Sequence, residues 1–194
     1  MQYCDGLELD DLRRLDIGQI AVGAFYARPE SLEVQVRGVD EKLWKEAVEA
    51  LATALKLRPN LVLAKANLGV AYLVSPDGKD VNNARDHLHE AADKVISDGS
   101  LSPVVHMSVL INASVADLAA GRLESAERKL LRAADLGRRS AEALPQAQVS
   151  LSLFCALLYN RALTLARSPE EARRRGAVEV FEQYLKTANP SSTW

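Results

Sequence analysis

The chain has 194 residues, 48% of them apolar, enough to bury one continuous core of ordinary domain size. Charged residues make up 26% and the formal net charge is -2, so neither a basic field nor an acidic tail points to nucleic acid. Aromatics are only 5%, while Ala, Leu, Arg and Glu dominate, as in chains built from helices.

Met1–Asp11 is polar and acidic rather than basic and then apolar. No signal peptide is legible there, which favours a cytoplasmic location. A first helix is expected within Asp10–Arg28, carrying Val22-Gly23 and Tyr26. In Pro29–Asp40, Leu32–Arg37 alternates apolar and polar residues and reads as extended. It is taken as a loop, with packing along the helices as the alternative.

Lys45–Asn60 reads as an amphipathic helix. Ala47, Leu51, Ala54 and Leu55 form its apolar stripe, and Pro59 stops it. A second helix is expected over Leu61–Val74, with Leu68-Gly69 and then Tyr72. The spacing Ala47/Leu51/Ala54 recurs as Ala84/Leu88/Ala91, Ala126/Leu130/Ala133 and Ala177/Phe181/Tyr184. Intervals of four and three place each triad on one helical face. Their recurrence at steps of roughly forty residues predicts stacked helical hairpins.

Gly99–Ala116 and Ala143–Asn160 contain no Asp, Glu, Lys or Arg and are as long as a membrane span. Ser100, Ser102, His106, Ser108, Asn112 and Ser114 in the first, and Gln146, Gln148, Ser150 and Ser152 in the second, argue against a span. Helices packed on several sides are expected instead.

The pattern Ala47-x3-Leu51-x2-Ala54 ending in Pro59-Asn60, followed by Asn67-Leu68-Gly69-x2-Tyr72, resembles the tetratricopeptide repeat (TPR). Gly69 and Ala84 would be small where paired helices approach most closely, with Leu68, Tyr72 and Leu88 on either side. Asn112-Ala113-Ser114, then Gly121 with Ala126, repeats the theme. So does Tyr159-Asn160-Arg161-Ala162 with Ala177 and Pro190. The resemblance is good over Glu41–Asn189 and weaker over Leu7–Asp40. It implies an all-α, right-handed α-solenoid, one domain over residues 1–194. The implied antiparallel hairpins are Leu7–Arg58, Pro59–Ser97, Leu101–Arg139 and Ala143–Asn189. Two departures stand out: Tyr184 replaces the usual Ala, and two hairpin loops, Ser75–Asn82 and Arg167–Gly176, are three residues longer than the third.

The same resemblance implies an inward, concave face that holds a peptide or partner helix. Carried over, that face is Ile17, Ile20 and Ala24, then Leu63, Ala66, Val70 and Leu73. Ser108, Ile111, Val115 and Leu118 continue it, followed by Ala156, Tyr159 and Leu163. Asn67, Asn112 and Asn160 recur at one equivalent position, where they either bond a partner's backbone or satisfy their own. The inward lysines and arginines with which one TPR subgroup grips C-terminal carboxylates are missing. An apolar groove suits a partner helix, the chain's own Pro29–Asp40 or another subunit. The expected function is therefore a non-catalytic protein–protein interaction scaffold. A homo-oligomerisation or docking module is the alternative, and an enzyme with an unrecognised helical active site the third reading.

Chemistry-bearing motifs are few. His87 and His89 lie two apart, roughly 200° around a helix, which is wrong for one metal, and His106 has no partner at a ligand interval. Ser75–Asn82 contains Asp77, Gly78, Asp80 and Asn82 but not the acidic spacing of a calcium loop, and reads as a turn. Cys4 and Cys155 are far apart; Cys155 sits in an apolar helix and is expected to be buried and inert. Arg138-Arg139 and Arg173–Arg175 read as solvated faces. No metal, cofactor, nucleic acid or membrane is expected.

Overall fold

The computed structural model describes residues 41–75, 80–97, 101–140 and 147–188. The readings made for Asp10–Arg28, Pro29–Asp40, Cys4, Pro190 and inward residues Ile17, Ile20 and Ala24 lie outside them. Within these limits the chain is all-α, with seven helices and no strand. They are α1 (Glu41–Leu57), α2 (Val62–Leu73), α3 (Val81–Ser97), α4 (Pro103–Ala119), α5 (Leu123–Ser140), α6 (Ala147–Ala166) and α7 (Glu171–Ala188).

Local chemistry accounts for the boundaries. Pro59 has no N–H to continue α1, and the chain turns there, with Leu61 N donating to Arg58 O at 3.2 Å. Ser102 caps α4 by accepting from Val105 N, and Pro103 occupies the first turn, where a missing N–H costs nothing. Gly121 ends the α4 cap at φ +71°, the left-handed conformation that glycine adopts without a Cβ clash. Gly121 N then donates to Leu118 O (3.1 Å) and Arg122 N to Asp117 O (2.8 Å), which satisfies the last carbonyls of α4. The Trp44 indole performs a similar task across helices, donating to Ala71 O in the last turn of α2 at 2.7 Å.

The long loop expected at Arg167–Gly176 is instead the short link Arg167–Glu170, since α7 begins at Glu171. Ser168 Oγ accepts from Glu170 N at 3.2 Å, and Arg175 reaches back to Glu171 at 2.5 Å. Ser-Pro-Glu-Glu is thus a helix start, and the additional residues place the start of α7 further ahead of Ala177. Val81 and Asn82, also expected in a loop, open α3, with Ala84 N donating to Asp80 O at 2.9 Å. The Asp77-Gly78 turn lies outside the described residues.

Each helix packs against the next, and α2, α4 and α6 also touch in succession. The alanine triads mark the contacts. All six residues of the α3 and α5 triads are sealed from solvent, whereas Phe181 and Tyr184 in α7 are only half-buried. Gly69 is where α2 and α3 approach most closely: a Cβ there would lie 2.6 Å from Leu88 Cγ and 3.0 Å from Ala84 O. The fully buried Leu88 fills that space, worth about 2 kcal/mol of transfer free energy.

One apolar cluster runs from Val70 through Leu88, Ile111 and Leu130 to Leu157, so α2 to α6 share a continuous core. Its centre is α4, buried without interruption from Met107 to Leu118. The serines of this helix tolerate burial because they bond backwards: Ser108 Oγ to Val104 O at 2.9 Å and Ser114 Oγ to Ile111 O at 2.6 Å. Among the described residues, no helix is long and apolar enough to cross a membrane.

Candidate functional site

Most of the expected inward face is core. Ala66, Val70, Ile111 and Ala156 belong to the continuous cluster, while Val115, Leu118 and Leu163 form a smaller one with Phe181 packed against it. Ser108, Asn112 and Asn160 are buried as well, and both asparagines have interaction partners. These side chains contact their own neighbours and leave little surface for a partner. The reason is the shared core, in which α3 and α5 pack closely on α2 and α4. Leu63 is 42% exposed, and Asn67 is half-buried. Tyr159 is also half-buried, its ring against Phe181 (6.1 Å between centroids) and Tyr184 (5.6 Å). Tyr184 thus fills, with a ring, the space that an alanine would leave beside α6.

The structure draws attention to a different place. Asp117, next to last among the buried residues of α4, has no exposed side-chain surface. Lys129 Nζ from α5 donates to its Oδ2 at 2.6 Å and also to Ser125 Oγ at 2.9 Å. His89 Nε2 from α3 lies 2.9 Å from Oδ1, and Arg85 Nε 3.7 Å from the same oxygen. Since a carboxylate only accepts, His89 carries its proton on Nε2. Burial alone would raise the Asp117 pKa, but the bonds from Lys129, Ser125 and His89 outweigh it and hold the carboxyl below its usual value. Asp117 is therefore a charged hub joining α3, α4 and α5.

Beside this hub opens a polar groove of about 510 Å³. Its walls are Arg85 and His89 of α3, Arg128 of α5 and Arg173 of α7. Its rim is made by two turns, Gly121-Arg122 before α5 and Ser168–Glu170 before α7. Four arginines face two glutamates, Glu124 and Glu170. Arg173 is engaged by Glu127, and Arg85 is directed at Asp117. Arg122 and Arg128 are exposed, and their side chains make no ion pair among the described residues. Both helix starts at the rim add the partial positive charge of unpaired backbone N–H groups.

Chemically this arrangement suits binding of anionic groups. The Asp117–His89 pair has no nucleophile in line, because Ser125 is bonded by Lys129 and Asp117 and not by His89. His87, two residues away, points elsewhere and stacks on Tyr72 at 5.6 Å, and burial lowers its pKa. His106 is half-buried on α4. Cys155 is buried, and burial raises its pKa, as its apolar helix implied. Among the described residues, no group of three or more His, Cys, Asp or Glu side chains is placed to hold a metal.

Sequence reasoning passed over the hub and the groove. One signal was present: Asp117 is the first charge after the uncharged run Gly99–Ala116, on a helix already read as buried. A charge in such a helix requires partners.

No protein-family model, curated protein or solved structure matches the chain.

Proposed function

We propose that this chain is a non-catalytic scaffold for protein–protein interaction, built as a right-handed TPR-like solenoid. The observation that carries the reading is the repeated packing order, in which α2, α4 and α6 touch in succession and each also packs on the helix that follows it. Stacks of this kind present long surfaces whose shape is fixed before a partner arrives, which lowers the ordering cost of binding. With Val70, Ile111 and Asn112 used in packing, the accessible part of the inward face is Leu63, Asn67, Leu73 and Tyr159, and the polar groove is a further concave surface.

Panning the purified chain against a random displayed-peptide library tests this. Recurrent sequences whose synthetic peptides bind in solution are expected. A library that yields no peptide binding in solution overturns the scaffold reading.

A second reading, homo-oligomerisation, is favoured by Val178 (59% exposed) and Leu185 (48%), seven residues apart on one face of α7. Light scattering over a range of concentrations separates the two. A stable dimer that Val178→Glu and Leu185→Glu together dissolve would establish the second.

A further inference from the structure

The geometry points to an acidic peptide segment of a protein partner as the occupant of the polar groove, held by Arg122 and Arg128. This inference rests on the scaffold reading and names the partner chemistry for one of its surfaces. Three observations carry it. The groove is concave, and its volume of about 510 Å³ suits a few side chains rather than a single ion. Its charged lining is four arginines against two glutamates, in a chain whose overall charge is -2. With Arg173 paired to Glu127, the rest of the lining keeps an excess of one arginine over its two glutamates.

The third observation is the way the arginines are used. Arg173 is satisfied by Glu127, and Lys129 and His89 by Asp117. Arg85 Nε is buried and has no hydrogen-bond partner, 3.7 Å from a carboxylate already engaged by Lys129, Ser125 and His89. Arg122 and Arg128 make no ion pair among the described residues, although Glu124 and Glu170 line the same groove. A guanidinium presents a planar fork of donors that matches carboxylate or phosphate oxygens in pairs. The Asp117 hub supports the wall behind them: it pins α3 and α5 to α4, so the arginines project from a rigid surface. The site lies at the turns before α5 and α7, and its lining includes none of the residues of the expected inward face.

Fluorescence anisotropy on the full chain tests the proposal. The probes are a labelled hexaglutamate, a hexapeptide alternating Gly and phosphoserine, hexalysine and a hexathymidylate oligonucleotide. One or both acidic peptides should bind at 50 mM NaCl, weaken at 300 mM and outcompete the other probes; their ranking tells carboxylate from phosphate recognition. The double variant Arg122→Glu, Arg128→Glu should weaken that binding at least tenfold with unchanged helicity and melting temperature. A control of equal charge change, Lys56→Glu with Lys186→Glu, lies outside the groove and should weaken it less than threefold.

Equal losses in both doubles would overturn the proposal, as would failure of both acidic peptides to bind. Tighter, arginine-dependent binding of the oligonucleotide would overturn it in favour of nucleic acid. Should library panning return non-acidic peptides whose binding ignores Arg122 and Arg128, the groove assignment falls while the scaffold reading stands.

Discussion

Lys129 Nζ lies 2.6 Å from Asp117 Oδ2, across the turn at Gly121, and this contact helps keep a fully buried carboxylate charged. Removing Lys129 leaves Asp117 with His89, Ser125 and the more distant Arg85. Lys129→Met should destabilise the fold by about 3 kcal/mol in urea unfolding. Adding Asp117→Leu to Lys129→Met should recover part of that loss, because the orphaned charge is then gone. A double variant as unstable as the sum of the singles would show that the two residues act independently.

Acid should weaken the fold in two separate windows. The half-buried His87 ring has a pKa lowered by desolvation, so on acidification the unfolded chain takes up the proton first. Stability should fall as pH drops below about 6.5, the ordinary histidine value, down to the lower folded-state pKa. Asp117 is also lowered, so its contribution is intact above about pH 4 and disappears as pH falls through its folded-state pKa. His87→Phe keeps a ring against Tyr72 and should abolish the first window only. Urea midpoints measured from pH 8 to pH 3 would read both.

Three glycines inside helices should respond differently to alanine. At Gly69 the new Cβ meets Leu88 Cγ at 2.6 Å and the Ala84 carbonyl at 3.0 Å, and the backbone oxygen cannot turn aside. Gly69→Ala should cost about 2 kcal/mol despite the better helix propensity of alanine. At Gly137 the nearest atom is the end of Met107, 3.0 Å away on a flexible side chain, so Gly137→Ala should be close to neutral. Nothing lies within 4 Å at Gly176, where Gly176→Ala should add about 0.5–1 kcal/mol. Melting temperatures of the three variants give the order directly.

Cys155 is 7% exposed and its pKa is raised by burial, so little thiolate is present at neutral pH. Mass spectrometry of the Cys155 peptide should show alkylation by iodoacetamide on the order of a hundredfold slower in the native chain than in urea. Comparable rates would mean that α6 opens locally.

The sequence made some of these features legible and not others, for physical reasons. The alanine triads could be read because small residues at fixed helical spacing record where two helices touch, a fact local to each helix. Gly69 could be read for the same reason, and so could the burial of α4, which its uncharged run anticipated. Asp117 could not, since its partners lie 12 and 28 residues away on separate helices and only the packed fold brings them together. Periodicity says which residues share a face, not how tightly the neighbouring helix covers it. Val70 and Ile111 are on the expected side of their helices and are sealed there. At Arg167–Gly176 the error was one of counting: extra residues were assigned to a loop, although Ser168 and Glu171 carry the chemistry of a helix start.

Tyr72 and Asp117 occupy the same address in successive hairpins, each five residues after an asparagine, Asn67 and Asn112. In one hairpin that address is a ring, with Trp44 edge-on and His87 stacked. In the next it is a carboxylate gripped by His89 and Lys129. Leu165, at the corresponding place in α6, meets an aliphatic cluster instead. The alanines are interchangeable from hairpin to hairpin, but these three are not. A chain that slipped by one hairpin while folding would set Asp117 against rings and strand Lys129 beside a phenol. The fold is repetitive in its alanine spacers but carries a different chemistry at each of these three positions.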